Sequence, residues 1–344
     1  MVLTSTASMQ DQELLDAARR GDESAFDRIV EVHRAELHAH CYRMLGSLHD
    51  ADDALQDTLI RAWRGLSSFE GRSSLRTWLY RIATNAALDV VARRPKRVLP
   101  IDYGPPADST ADIAEPLVES VWVEPYPDEA LGIGDGYAAP EARYEQREAV
   151  ELAFIAALQH LPATQRAVLI LREVLGFSAR EVSESLDTSV ASVNSALQRA
   201  RKAIAERLPE RSQQETLRSL GDEETRRLVE AYVDAFARKD VQAVAALLAE
   251  DAVFSMPPSP SWWRGREAIA SFAALETCPE ARQVAIRANG QLAIASYSRD
   301  DETGRFLASA VDVLTLEFTL IKEVTAFVTP ELLPRFGLPV ELDA

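Results

Sequence analysis

The chain has 344 residues, 47% of them hydrophobic and 26% charged, which allows two or three domains with cores of their own and excludes a disordered or fibrous protein. Its formal net charge of -17 argues against free-standing affinity for nucleic acid, because that affinity rests on cations that neutralise phosphates. Two distant cysteines, Cys41 and Cys278, exclude a disulfide framework and fit a reducing cytoplasm, and the lack of a signal-type leader or of an apolar run near 18 residues leaves neither export nor a membrane span expected.

The charge is unevenly placed. Residues 1–99 carry 14 basic and 14 acidic side chains, and residues 142–209 carry 9 and 8. Residues 100–141 carry 10 acidic side chains and no Lys or Arg, and residues 210–344 carry 14 basic and 22 acidic. The acidity therefore belongs to a linker and a tail.

From Asp11 to about Arg94 the pattern is helical. Asp11–Ala18 makes a first helix broken by Gly21, Ser24–Leu45 a longer one ended by Gly46, and Asp50 caps a third running to about Arg64. In the third, Leu55, Leu59, Ala62 and Trp63 face inward, whereas Asp53, Asp57, Ile60, Arg61 and Arg64 face out. An outward Ile60 among charges fits a partner surface; it also fits a solvated helix with an Asp57–Arg61 pair worth only a few tenths of a kcal/mol. Residues 65–74, GLSSFEGRSS, are a loop by composition. The next helix, LRTWLYRIATNAALDVVARR, has Leu75, Leu79, Ile82, Ala86 and Val90 as its buried stripe, Trp78 at the edge, and Tyr80, Arg81, Thr84 and Asn85 outside it. Arg93, Arg94, Lys96 and Arg97 follow as a basic cluster, favourable at a helix C-terminus.

Pro100 to Pro140, rich in Pro, Gly and acids, is expected to be an extended and poorly ordered tether. Trp122 and Tyr126 of WVEPYPD suggest that part of it docks, the chain's own tail domain being one candidate surface. Leu175–Leu208 then reads as two helices joined by a tight turn, the second amphipathic and about 30 Å long. Val190, Val193, Leu197, Ala200, Ile204 and Leu208 share the buried face of that helix, while Ser192, Ser195, Arg199 and Lys202 lie opposite. Arg201, near the apolar face, is expected to pack by its stem. Small hydroxyls and cations on an outward face suit major-groove and phosphate contacts. The stretch by itself fits a DNA-reading helix pair and an ordinary helical hairpin equally.

After Pro209 the pattern changes. Asp222–Asp251 is helical, and β-like runs appear from Val253 onward, notably Gln291–Ser298, Phe306–Thr315 and Phe318–Val328, an order that suggests an α+β cone. Phe254, Met256, Trp262, Trp263, Phe272 and Tyr297 either line a pocket in it or form its core. The tail has no His, and no acid and base pair stands out, so no catalytic residue is assigned. His33, His38 and His40 do not form a one-face metal set, because i and i+2 diverge on a helix, and neither metal nor cofactor is expected.

DADDALQDTLIRAW, a loop, and RTWLYRIATNAALD together resemble regions 2.1 to 2.4 of an extracytoplasmic-function sigma factor, a bacterial RNA polymerase initiation subunit. LPATQRAVLILREVLGFSAREVSESLDTSVASVNSALQRARKAI resembles region 4 of the same family. DAVFSMPPSPSWWRGREAIASF and the later FGLP resemble the SnoaL-like domain that some of these factors carry as a C-terminal extension. The implied protein is multidomain: an all-α region 2 bundle at 10–97, the acidic linker at 98–141, an all-α region 4 helix-turn-helix at 142–209, and a SnoaL-like α+β cone at 215–340.

The resemblance implies that Asp53, Gln56 and Asp57 bind the clamp helices of core polymerase, and that residues 65–74 capture an unstacked promoter base. It implies that Tyr80, Arg81 and Asn85 hold the melted minus-ten strand, with Trp78 left to the core. Ser192, Asn194, Ser195, Gln198, Arg199 and Lys202 are the implied readers of the minus-35 element. Asn194 and Ala196 stand where many relatives carry basic residues, which lowers the charge of this helix. The implied partners are core polymerase and promoter DNA, with the polymerase supplying the positive charge that the chain lacks. The fused tail, held at high effective concentration, would regulate by weak contacts to regions 2 or 4 that can mask the core-binding face, and a separate anti-sigma factor stays open as a further partner. A stand-alone helix-turn-helix regulator with a ligand-sensing cone and a SnoaL-like enzyme are the alternatives; the region 2 block opposes the former, since a repressor has no use for it.

Overall fold

The computed structural model describes residues 12–107, 113–117, 121–131, 147–273 and 280–343; Cys278 lies outside them. The chain divides into two compact units. One comprises residues 1–96, 130–132 and 157–206, and the other residues 97–129, 133–156 and 207–344.

The first unit opens with four helices, α1 (residues 12–19), α2 (Glu23–Leu45), α3 (Leu48–Gly65) and α4 (Leu75–Val91). Their ends follow from local chemistry. The Asp22 carboxylate accepts the Ala25 N–H to start α2, and Gly46, at φ 69°, ends it by donating its N–H to the Tyr42 carbonyl. Ser47 and Ser74 cap α3 and α4 through the N–H groups of Asp50 and Thr77. Asp50, expected as the cap, instead sits buried inside the first turn of α3 and pairs with Arg94. Leu37, Tyr42 and Met44 of α2, Ala51, Ala54 and Ala62 of α3, and Leu79, Ala83 and Ala86 of α4 form the core.

The buried stripe of α4 differs from the expected one. Leu75, Ile82 and Val90 are only half-buried, whereas Tyr80 and Thr84 are buried. The reason is that α4 is covered on two sides. His40 of α2 reaches the Thr84 hydroxyl at 2.9 Å, and Phe177, preceding the helix-turn-helix, packs edge-on against the Tyr80 ring at 5.4 Å.

The remainder of this unit contains α5 (Ala163–Leu169), a π turn (Ile170–Val174), α6 (Ala179–Ser185) and α7 (Val190–Ala205). Ser178 and Glu181 form a reciprocal capping box at α6, Asp187 at φ 49° makes the turn, and Ser189 caps α7. α7 has 16 residues, so it is about 24 Å long rather than the expected 30 Å, and Leu208 lies beyond it. Val190, expected on the buried face, is 43% exposed, as the first turn projects past its packing partner. Arg166 of α5 donates to the carbonyls of Met44, Gln159 and Leu161 and to the Gln159 side chain at 2.5 Å. Burial lowers its guanidinium to about 10, because carbonyls satisfy it in place of a carboxylate.

The second unit is an α+β cone. α8 (Gln213–Leu220), α9 (Asp222–Ala237), α10 (Val241–Leu247) and α11 (Arg266–Ala273) accompany strands β1 (Leu248–Ser255), β2 (Trp262–Arg264), β3 (Ala281–Ala288), β4 (Gln291–Arg299), β5 (Phe306–Glu317), β6 (Leu320–Phe327) and β7 (Glu341–Leu342). β4, β5 and β6 fall on the three runs singled out from sequence, β2, β3 and β7 lie in the β-like region after Val253 without having been singled out, and β1 begins earlier, at Leu248, because the helical stretch ends at Leu247 rather than Asp251. The sheet runs β2-β1-β6-β5-β4-β3, with β7 on β5; β1 and β6 are parallel, and the other pairs are antiparallel. Leu228, Tyr232, Val244, Phe254, Trp263, Phe272, Leu292, Ile294, Leu314 and Val324 are buried together inside it.

The acidic segment is not the free tether that its composition suggests. Within this unit Trp122 donates its indole N–H to the Pro258 carbonyl at 2.9 Å, Ala107 donates to the Trp262 carbonyl, and Trp262 donates to the Gly104 carbonyl, both at 2.8 Å. The Tyr126 N–H reaches Asn289 Oδ1 at 2.8 Å, and the Tyr126 ring is fully buried. Docking through Trp122 and Tyr126 on the tail domain is therefore present. Backbone amides and aromatic rings supply it, and a count of carboxylates does not register either. Among the described residues no helix is long and apolar enough to cross a membrane.

Candidate nucleic-acid interface

The outward stripe of α3 is built from Asp53, Gln56, Ile60 and Arg64, all exposed, with Asp57 beside them half-exposed. Steps of three and four put them on one helix face, and Ile60 at 42% exposure is an apolar group with no core to enter. Asp57 is also tied laterally. Its carboxylate accepts from Arg61 at 2.6 Å, and the same Arg61 nitrogen donates to Asp89 of α4 at 2.8 Å. The Asp89 hydrogen bond is the main cause that pushes the Arg61 guanidinium up from its ordinary value.

Where α3 meets the loop, Arg61, Gly65, Ser68, Trp78, Ile82 and Asn85 line an open cavity of ≈ 260 Å³. Residues 66–68 form a tight turn rather than open coil, and the Phe69 ring packs on Trp78 at 5.0 Å. A Cβ on Gly65 would meet the Trp78 ring at 3.3 Å, so the wall is close to the backbone there. The size lies just below the ~300–1,000 Å³ of drug-sized pockets, which suits one flat group. Trp78, assigned to the core from sequence, is half-exposed and forms the cavity's aromatic wall. Phe69 and Gly65 cover part of its ring, and the rest faces the cavity.

Arg81 and Asn85 are exposed on α4, as expected, and Asn85 enters the cavity. Tyr80 requires a correction. Expected outside the buried stripe, it is 1% exposed, with its hydroxyl donating to Glu36 Oε2 at 3.2 Å. Burial pushes its phenol well above the usual range. Arg76 stacks over both Tyr80 and Phe177, at 4.8 and 5.3 Å from the ring centres, and Thr77 reaches Glu181 of α6 at 3.4 Å. The Arg76, Thr77 and Tyr80 side of α4 is thus occupied by the helix-turn-helix, and the Trp78, Arg81 and Asn85 side is open.

On α7 the six candidate readers, Ser192, Asn194, Ser195, Gln198, Arg199 and Lys202, are all exposed, while Val193, Ala196, Leu197, Ala200 and Ile204 are buried. Ser189 Oγ donates to Ser192 Oγ at 3.0 Å, at the N-terminal end of the helix. Arg201 does not pack by its stem. It is 58% exposed and pairs with Glu173 at 2.6 Å.

The three histidines of α2 go to three different partners: His33 to Glu36 at 2.6 Å, His38 to Asp52 at 3.0 Å and His40 to Thr84. In the cone, Phe254, Trp263 and Phe272 stack on one another at 4.9 to 6.0 Å in the interior. Trp262 turns away from them toward the docked linker, and Tyr297 donates to the Pro339 carbonyl at 3.0 Å. Tertiary structure also joins two groups that no local motif pairs: the Tyr232 hydroxyl lies 3.4 Å from Asp312, 80 residues away, and both are buried. Burial raises Asp312 to about 7.

Residues 29–97 match Sigma-70 region 2, residues 145–204 match Sigma-70 region 4, and residues 229–324 match a SnoaL-like domain. Those blocks, in that order, define the class: a bipartite sigma subunit with an α+β extension. The ECF RNA polymerase sigma factor SigG of Mycobacterium tuberculosis is 42% identical over 330 residues, which is 94% of this chain and 86% of that one. The RNA polymerase sigma-H factor of Pseudomonas aeruginosa is 34% identical over 195 residues, 57% of this chain and 92% of its own length. The crystal structure of the Mycobacterium tuberculosis extracytoplasmic function sigma factor SigJ shares the fold with a TM-score of 0.55 at 20% identity, over 90% of this chain and 98% of that one. The chain belongs to the extracytoplasmic-function sigma factors.

Proposed function

We propose that this sigma factor binds core RNA polymerase through the α3 stripe, reads the minus-35 element with α7, and opens the minus-ten region by lodging one unstacked base in the cavity beside Trp78. The observation that carries the reading is the cavity. An aromatic wall, an amide at Asn85 and a hydroxyl at Ser68 converge in a space for one flat group, within the residues that match Sigma-70 region 2. Stacking offsets the few kcal/mol that unstacking costs, and the amide can address a base edge. Asp53, Gln56, Asp57 and Ile60 offer core polymerase an acidic face with an apolar centre, which favours a basic partner helix pair. Arg81 serves the strand backbone from the open side of α4, and Tyr80 supports the helix from beneath. The protein works in the cytoplasm, where polymerase is.

The SnoaL-like domain regulates rather than catalyses in this reading. Run-off transcription with core polymerase tests the assignment. The full-length chain is expected to support opening at promoters drawn from a genomic library, and Trp78→Ala is expected to lower opening about tenfold or more while leaving core binding intact. A full-length chain that does not bind core polymerase ends the proposal. Turnover of a small molecule by the purified chain, lost in Asp312→Asn, would reinstate the enzyme reading.

A further inference from the structure

One carboxylate of α3 serves two surfaces. Asp57 lies beside the outward stripe of that helix, and it also holds Arg61, whose same nitrogen is shared with Asp89 at 2.6 and 2.8 Å. Of the six residues that line the ≈ 260 Å³ cavity, Arg61 alone is charged. Its side chain is 40% exposed, and the apolar groups of Trp78 and Ile82 from α4 line the same cavity. A guanidinium gripped by two carboxylates occupies a position where anionic oxygens already converge, and a phosphodiester oxygen satisfies the same donors. Exposed ion pairs contribute little to stability, so exchanging one carboxylate for another anion is inexpensive.

We propose that Arg61 couples polymerase binding to strand capture. In the free chain Asp57 and Asp89 hold its guanidinium; a basic group of core polymerase takes Asp57, and Arg61 then turns its released donors to the phosphate flanking the base in the cavity. Arg61 is a strand-binding residue in this scheme and acts on the backbone, not on base identity. The inference rests on the reading of the α3 stripe as the core-binding face. It explains how a chain of net charge -17 keeps its strand-binding cation quenched until polymerase arrives.

The test uses the full-length chain without polymerase and a fluorescein-labelled mixed-sequence single strand of about a dozen nucleotides, at low salt. Asp57→Asn is expected to raise affinity for the strand about fivefold, with a salt dependence steeper by about one ion. Asp53→Asn makes the same change in charge on the same stripe without touching Arg61; the cation beside it is Arg94, at 3.9 Å and still held by Asp50, and less than about a twofold gain is expected. The double variant Asp57→Asn with Arg61→Met is expected to fall back to the starting affinity. Equal gains from Asp57→Asn and Asp53→Asn, or a gain that survives in the double variant, would overturn the proposal. Comparison of the two aspartate variants stands even where Arg61→Met does not fold. Core affinity of the unaltered chain, measured separately, reports on the stripe itself: its absence ends the sigma assignment, whereas the strand measurement judges the Arg61 coupling.

Discussion

Buried titratable groups give the two units opposite responses to pH. Asp312 is raised to about 7 by burial, and Glu151 likewise to about 7, although the N–H groups of Gln213 and Gln214 partly offset that. A carboxyl whose folded value lies above its unfolded one stabilises fully below the unfolded value, and that contribution is lost as pH rises through the folded one. For Asp312 the displacement from 3.8 to about 7 corresponds to at most roughly 4 kcal/mol. Unfolding of the cone, followed by tryptophan fluorescence, is expected to require about 4 kcal/mol less at pH 8 than at pH 5.5, roughly half from Asp312 and half from Glu151, and Asp312→Asn is expected to halve that dependence. His40 works in the other direction. Burial lowers it to about 3, so its contribution is complete above the ordinary value of 6.5 and declines as pH falls from there toward 3. The helical unit is therefore expected to lose protection of the α2 and α4 amides from hydrogen exchange between pH 6.5 and pH 4. His40→Asn would remove that trend.

At the scale of elements, the helix-turn-helix depends on caps as much as on its apolar face. Ser178 accepts the Glu181 N–H, and Glu181 returns the bond to the Ser178 N–H at 2.8 Å. Ser178→Ala is expected to cost about 1 kcal/mol in denaturant unfolding. Hydrogen bonds from Ser178, and smaller ones from Thr77, also hold the Glu181 carboxyl below its usual range. On α7, Arg199 is exposed on the outward face proposed to read DNA. Arg199→Ala is expected to weaken holoenzyme binding to different minus-35 sequences by a similar factor and to reduce the salt slope by about one, the signature of a phosphate contact. A loss confined to one sequence would instead mark Arg199 as a base reader.

At the scale of the whole molecule, the acidic segment belongs to the cone. Leu152 donates its N–H to Gln291 Oε1 and Asn289 donates to the Val150 carbonyl, at 2.8 and 2.7 Å, beside the Asn289–Tyr126 contact. The β3–β4 turn at Asn289 and Gly290, both with positive φ, thereby grips chain on either side of residues 132–146. A chain ending at Leu208 loses every one of these partners. Limited proteolysis is expected to cut such a chain between residues 97 and 131 at least about tenfold faster than the full-length protein. Equal rates would mean that the segment orders without the tail.

The helices of both sigma regions, the outward face of α7 and the existence of an α+β tail were legible in the sequence. Each depends on a period of three to four residues, a cap, or a motif contained in one stretch, which local chemistry decides. The cavity was not legible, because Arg61, Ser68, Trp78 and Asn85 come from two helices and a turn, and Asp89 meets Arg61 across 28 residues. Tyr80 and Trp78 exchanged their expected places for the same reason. A helix presents both sides equally to a sequence pattern, and only the elements that pack against α4 determine that Tyr80 is covered and Trp78 is open. The pairing of Tyr232 with Asp312, and the capture of a segment that composition marks as a tether, likewise depend on long-range contacts. Sequence by itself determined what each segment can form; tertiary structure decided which faces remain available to polymerase and DNA, because burial is a property of neighbours that the chain brings together only on folding.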